Sequence, residues 1–186
     1  MPPFPRQELE DTIAAFVAAN EQAGRSGDWS GMSRFYTEDA LYTWNNGAGW
    51  EFVAEGRQQI HDWVFGTEMA GLEQWTYPYV RTLVDDRKGE VIGIWRQVAP
   101  VKDPEGNPYE IAGTGGSWFR YGGDGRWCWQ RDFFDHANAA SVFGALASNG
   151  QLTPKMMERM KKGSDMPGWR RRASFDWYAT ITDPES

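Results

Sequence analysis

An ionisable pair, Arg131-Asp132, interrupts an aromatic run: Trp127-Cys128-Trp129-Gln130-Arg131-Asp132-Phe133-Phe134-Asp135-His136 follows the turn Gly122-Gly123-Asp124-Gly125. If the run is a strand, alternation sends Trp127, Trp129, Arg131 and Phe133 to one face and Cys128, Gln130, Asp132 and Phe134 to the other. Asp132 then shares a face with small or apolar neighbours, where a carboxylate is either paired or chemically useful. Desolvation raises the pKa of such a group toward the range suited to proton transfer, which makes Asp132 the first candidate for a general base or acid. The competing reading is a structural ion pair with Arg131 or Arg96. Arg131 is the weaker partner because strand neighbours point in opposite directions.

Tyr42 is the second catalytic candidate. Its phenol, on the same strand face as Trp44, could hydrogen-bond a substrate oxygen or stabilise a developing enolate or alkoxide; a core tyrosine with a satisfied hydroxyl reads equally well. Six further residues are candidates for substrate binding. Asn20 lies on the apolar stripe of a helix and could orient a substrate or water, or satisfy a loop backbone instead. Gln97 is of the same kind. His61 titrates in a useful range and falls within an apolar helical arc. Trp44, Trp118 and Phe134, with Trp95, could line a site for a flat ligand, core packing being the alternative for each.

The elements that must position these groups are legible from period and punctuation. Residues 6–25 form an amphipathic helix with Leu9, Ile13, Phe16, Val17 and Asn20 on one stripe. Gly27-Asp28 breaks the chain and opens a short helix through Phe35; Ala40 to Trp44 is a strand ended by Asn45-Asn46-Gly47. A third helix follows Gly56, with Ile60, Trp63, Val64 and Phe65 on an apolar arc that includes His61. Four strand-like runs follow, roughly 75–85, 90–100, 109–121 and 126–135, joined by turn-rich segments as an antiparallel meander. The expected fold class is α+β: N-terminal helices wrapped on a curved, cone-shaped antiparallel sheet. Residues 1–140 make this domain and 141–186 a C-terminal helical extension, with helices near Ala139–Ala147 and from Thr153-Pro154 to Gly163. The tail, Arg170-Arg-Arg-Ala-Ser-Phe-Asp-Trp-Tyr, mixes bases and aromatics. It reads as a solvated end, a membrane-surface contact or an arm over a neighbouring subunit, and its aromatics favour the arm.

Composition narrows the functions. At 186 residues the chain suits one domain with extensions, and 11 Trp among 15% aromatic residues exceed what a core of this size needs. The formal net charge of −7 opposes binding to a phosphate backbone, so no nucleic-acid partner is expected. The N-terminus lacks the basic start and apolar run of a signal peptide, and no apolar stretch is long enough to span a bilayer; a cytoplasmic location with no membrane partner is expected. A single cysteine, Cys128, and two histidines, His61 and His136, argue against a disulfide or a metal centre. With no glycine-rich phosphate loop, no cofactor is expected.

Three segments carry a resemblance to a known family: Phe35-Tyr-Thr-Glu-Asp-Ala-Leu-Tyr-Thr-Trp, Gly56-Arg-Gln-Gln-Ile, and Asp124-Gly-Arg leading to Arg131-Asp-Phe-Phe-Asp. Over about residues 8–140 the chain resembles the nuclear transport factor 2-like superfamily, which includes ketosteroid isomerase, scytalone dehydratase, limonene epoxide hydrolase, polyketide cyclases and many binding modules. The resemblance implies a cone of curved sheet wrapped by helices. It places Asp132 at the catalytic carboxylate of the epoxide hydrolases and Tyr42 at their water-positioning tyrosine. Their asparagine is replaced by Trp44, and Trp95-Arg96-Gln97-Val98 offers no second acid. The ketosteroid isomerase base also falls at Trp44. The expectation is therefore a cofactor-independent acid–base enzyme, a lyase or dehydratase acting on a hydrophobic aromatic or polycyclic small molecule such as a lignin-derived diaryl compound or a steroid. A non-catalytic ligand-binding module is the alternative, with an epoxide hydrolase or isomerase of the same fold less favoured. A homo-oligomer, dimer or trimer, is expected, since these folds commonly pair through the exposed sheet face, here Trp127, Trp129 and Phe133.

Overall fold

Helix α1 (Arg6–Ser26) buries Leu9, Ile13, Phe16 and Asn20 along the stripe read from the sequence. It stops at Gly27, whose φ of 75° is the left-handed geometry that a residue without a Cβ adopts most easily. The computed structural model describes residues 3–47 and 49–181; the first two residues and the end of the expected tail, 182–186, lie outside the described residues. A 3-10 turn (Ser30–Phe35) leads into strand β1 (Tyr36–Asn46), followed by β2 (Trp50–Glu55). A single helical turn, α2 (Arg57–Gln59), widens into a π-helix (Ile60–Glu68). Strands β3 (Tyr79–Asp85), β4 (Glu90–Trp95), β5 (Gln97–Lys102), β6 (Pro108–Ile111), β7 (Gly116–Gly123) and β8 (Arg126–Phe133) come next. Helices α3 (His136–Ser148) and α4 (Pro154–Lys162) and strand β9 (Trp169–Arg171) end the chain. The fold is α+β, with α1 packed on a curved seven-stranded sheet ordered β3-β4-β7-β8-β1-β2-β9, and β5-β6 standing apart as a two-stranded ribbon.

The sheet departs from a simple meander in three ways. Strand β2 is additional to the expected strands; its burial is nearly continuous, so it lacks the alternation that marks a half-buried strand. The run 90–100 divides at Arg96, whose N–H turns away to bond the Pro78 carbonyl. The run 109–121 divides at Gly113-Thr-Gly-Gly, where a Cβ on Gly115 would sit 2.8 Å from the Trp95 ring. The resulting sheet is antiparallel except that β1 and β8 run parallel, Tyr42 beside Gln130 and Trp44 beside Asp132.

A register shift in β8 corrects the simple two-face reading of the aromatic run. Arg120 pairs with Trp129 but Tyr121 pairs with Trp127, so Cys128 is the extra residue of a bulge. The bulge turns Trp127 inward, fully buried beside Phe119 and Tyr121, while Trp129 stays on the outer face against Trp118. Trp127 is thus core and not part of an exposed sheet face.

The tail closes that outer face from within the same chain. Strand β9 pairs with β2, Thr180 Oγ1 accepts a hydrogen bond from Trp129 Nε1 at 2.9 Å, and the Trp177 ring lies 4.1 Å from the Arg131 guanidinium. The described part of the tail lies against its own sheet, with Phe175 and Trp177 half-buried and Tyr178 exposed. Beneath it Glu51, fully buried, holds Arg131 through contacts of 3.2 and 3.3 Å, and Arg131 also donates to Thr43 Oγ1. Helices α3 and α4 enclose a second small core of Leu72, Trp75, Tyr109, Ile111, Leu146 and Met156.

Replacing Arg131 by Met should destabilise the fold by about 3–5 kcal/mol, because it strands the Glu51 charge, with Arg172 at 3.7 Å as its sole remaining cation among the described residues. Denaturant unfolding of the two proteins measures the difference; a loss below about 1 kcal/mol, the range of a surface pair, contradicts the burial argument.

Candidate active site

Between the inner sheet face, α1 and the π-helix lies a cavity of about 160 Å³, walled by aromatics that include Phe16, Trp29, Trp44, Phe65, Tyr77 and Phe134. Trp44, one of these walls, is held flat on Phe52, ring centroids 3.7 Å apart. Asp132 enters from β8. Its Oδ2 accepts the Tyr42 hydroxyl at 2.6 Å, and its Oδ1 accepts Ser117 Oγ at 2.6 Å and Gln130 Nε2 at 2.7 Å. Strand register sets these contacts: Ser117 on β7 lies directly opposite Asp132, Gln130 is two residues earlier on the same face, and Tyr42 is the diagonal neighbour on β1.

The supporting contacts fix each donor. Trp95 Nε1 donates to Ser117 Oγ at 2.9 Å, and the Tyr36 hydroxyl donates to Gln130 Oε1 at 2.5 Å. Gln130 is thereby oriented with its amide N–H toward the acid. All three polar atoms facing Asp132 are donors, so the network is complete with an ionised carboxylate and has no acceptor for a carboxyl proton unless a hydroxyl turns.

Burial pushes the Asp132 carboxyl above its ordinary range; the hydrogen bonds from Ser117, Tyr42 and Gln130 and the charge of Arg131 pull the other way without overcoming it. Neither arginine offered by the sequence pairs with it: Arg131 binds Glu51 and Arg96 binds Glu110. Burial, and then the Asp132 charge, raise Tyr42 well above an ordinary phenol, so Tyr42 stays protonated and acts as a donor. Burial likewise raises Tyr36, Tyr77 and Tyr79.

Of the other residues singled out in the sequence, Asn20, Trp44, Gln97 and Phe134 line the cavity with Asp132 and Tyr42. Asn20 Nδ2 donates to the Tyr77 carbonyl at 2.7 Å and so ties α1 to the segment before β3. Gln97 Nε2 donates to the Tyr77 hydroxyl at 3.2 Å. Two expected residues lie elsewhere. Trp118 is on the outer face, donating to Glu90, because it is the sheet neighbour of Arg131 and not of Asp132. His61 is on the surface, its side chain 45% exposed and its Nδ1 2.8 Å from Asp62, because the buried positions of the π-helix fall at Ile60, Val64 and Glu68 and leave it off the inner stripe.

The geometry adds Ser117, Gln130, Glu68 and Arg159 to the lining. Gln130 carried a signal, its place two residues before Asp132 on one face; Ser117, Glu68 and Arg159 carried none, since each reaches the cavity from a distant part of the chain. Among the described residues no group of three or more His, Cys, Asp or Glu is placed to hold a metal ion, and no helix is long and apolar enough to cross a membrane.

The fold matches known proteins. The profile of the SnoaL-like domain matches residues 13–130. The chain belongs to this family, within the nuclear transport factor 2-like superfamily. Similar solved structures include a phenazine biosynthesis-related protein from Pseudomonas aeruginosa, 12% identical over 75% of this chain and 86% of that one, with a TM-score of 0.58. A candidate polyketide cyclase from Xanthomonas campestris pv. campestris is 18% identical over 74% of this chain and 98% of its own, TM-score 0.52. A protein of unknown function with a cystatin-like fold from Methylobium petroleophilum PM1 is 15% identical and covers 98% of this chain and 97% of its own, TM-score 0.51. No curated protein matches the chain. The family match ends at Gln130, two residues before Asp132.

Because folding raises the Asp132 pKa, its contribution to stability is present below the ordinary carboxylate range and is lost as pH rises through the raised value. Asp132→Asn, which cannot ionise, escapes that loss. The melting temperature of the variant minus that of the wild type should therefore grow from acid to neutral pH; a difference that stays constant or shrinks would show that the carboxyl is not raised.

Proposed function

We propose that the chain is a cofactor-independent acid–base enzyme, a lyase or dehydratase, acting on a small hydrophobic aromatic molecule. The observation that carries this is a desolvated carboxylate with three donors and no cation, set in an aromatic cavity. Such a group has a raised affinity for a proton, and its three donors suit the ionised form in which it accepts one. A volume of about 160 Å³ is close to the roughly 150 Å³ that admits benzene in an engineered core, which favours a substrate of about one ring over a fused polycycle.

For dehydration of a β-hydroxy aryl ketone, Asp132 removes the proton next to the carbonyl. The C–H electron pair moves into the enolate. Neutralising Asp132 weakens its hold on the Tyr42 hydroxyl, which can then turn toward the enolate oxygen. As the enolate re-forms its carbonyl, the C–O bond to the β-hydroxyl breaks and the proton on Asp132 passes to the leaving oxygen. Water and an enone are the products, with Asp132 ionised again. A second acid is not required, which agrees with the other lining carboxylate, Glu68, being held by Arg159. The other reading, a ligand carrier, needs the aromatic walls but gives no use to an acid without a cation among them.

In a screen of β-hydroxy aryl ketones, aryl-propanes, steroids and epoxides, turnover is expected for the first class. Asp132→Asn should lower kcat by about 10²–10⁴ with ligand affinity retained, and Tyr42→Phe by about 10²–10³. Undiminished turnover in Asp132→Asn would remove the assignment, and tight binding with no turnover by the wild type would support the carrier.

A further inference from the structure

The sheet ends on one side at β3, and this edge is open. Five of its seven residues are exposed, with Val80 at 55% and Leu83 at 56%. An edge that carries apolar side chains is a template for a further strand, because one row of its N–H and C=O groups has no partner in the sheet. The Val84 carbonyl receives Arg6 Nη1 from α1 at 3.3 Å, which places it in that row, and antiparallel alternation puts Thr82 there with it. Side chains divide by face. Leu83 pairs with Ile92, and Ile92 with Trp118, so Arg81, Leu83 and Asp85 lie on the outer face of the sheet while Thr82 and Val84 lie on the side of α1. There they border a groove whose other wall includes Ala14, Val17 and Ala18.

Charge decides what occupies the edge. Arg81 is exposed and has no carboxylate partner among the described residues, and Asp85 uses Oδ1 for the Arg87 N–H. When two β3 strands meet antiparallel about a two-fold axis at Leu83, each Arg81 lies opposite the partner's Asp85, and Leu83 meets Leu83. Thr82 then lies opposite the partner's Val84, so the two open rows bond to each other and these small side chains extend the apolar groove along α1. Moving the axis by one residue loses the match: at Thr82, Arg81 faces Leu83, and at Val84 it faces Arg87. The apolar sheet face expected from the sequence to pair is largely used within the chain, Trp127 in the core and Trp129 bonded to Thr180.

We propose that two copies of the chain associate through their β3 edges, about a two-fold axis at Leu83, in a dimer that joins the two seven-stranded sheets edge to edge. The occupant is a second copy because the charge pattern of the strand complements itself. Asp132 and Tyr42 lie on β8 and β1, away from this edge, so the dimer is independent of the chemistry read from the cavity.

Sedimentation equilibrium of the full chain at micromolar concentrations tests this. The wild type should show twice the mass of one chain. Arg81→Asp and Asp85→Arg, each of which sets like charges opposite one another twice, should raise the dimer Kd by about tenfold or more, and the charge-swapped double variant Arg81→Asp/Asp85→Arg should restore it. Leu83→Cys, with Leu83 opposite itself on the axis, should form a covalent dimer with oxidised glutathione, whereas the wild type, whose single thiol Cys128 is half-buried, should not. A monomeric wild type, single variants that dimerise as the wild type does, a double variant that stays monomeric, or a Leu83→Cys chain that does not cross-link would each overturn the proposal. The cross-link reads the same contact without altering a charge, so the result does not depend on the Asp85 variants folding.

Discussion

The half-buried carboxylate of Asp132 takes three hydrogen bonds, from Tyr42, Ser117 and Gln130, and no arginine pairs with it directly. Much of the sheet geometry serves to keep those donors in place. Strands β7, β8 and β1 must lie side by side in one register, Trp95 must reach Ser117, and Tyr36 must orient Gln130. The glycines at 115 and 116 follow from the same need, since a Cβ there would run into the Trp95 and Phe133 rings.

Alternation separates charges that would otherwise cancel. Arg131 follows from β8 onto the outer face, where Glu51 and the Trp177 ring satisfy it, and Asp132 is left on the inner face without it. Glu51 and Glu68 are the contrasting cases: each is buried and each holds an arginine, as a structural acid does. Asp132 alone of these three has only neutral donors, which marks it as a group whose protonation can change. The C-terminal residues act on both faces, the tail covering Arg131 on the outer one while α4 and β9 hold Glu68 at the cavity wall.

Much of this was legible in the sequence because it depends on local period. The stripe of α1 located Asn20, alternation put Asp132 with Gln130 and Phe134, and the acid in an aromatic run drew attention to β8 before any fold was known. What escaped depends on non-local geometry. The bulge at Cys128 is a one-residue shift against β7 and leaves no compositional mark, so Trp127 was placed on the wrong face. The π-helix has the composition of an α-helix, and its wider turn takes His61 off the inner stripe. Ser117 and Trp118 differ by one position within a run whose phase depended on where Gly113-Thr-Gly-Gly breaks it. Arg159 sits among lysines on an amphipathic helix, and only docking of α4 onto Glu68 singles it out.

Family membership sets the fold and leaves the chemistry to these particular side chains, since Asp132 lies beyond the matched residues. The most direct measurement is a titration of the Asp132 side-chain carboxyl by ¹³C NMR, with Asp132→Asn to assign the resonance. Its midpoint should lie above the ordinary carboxylate value of 3.8, and should move higher still when Tyr42→Phe removes one of the donors that favour the ionised form. A midpoint at or below 3.8, or one that does not respond to the loss of the Tyr42 hydroxyl, would contradict a desolvated, donor-held proton acceptor at the centre of this cavity.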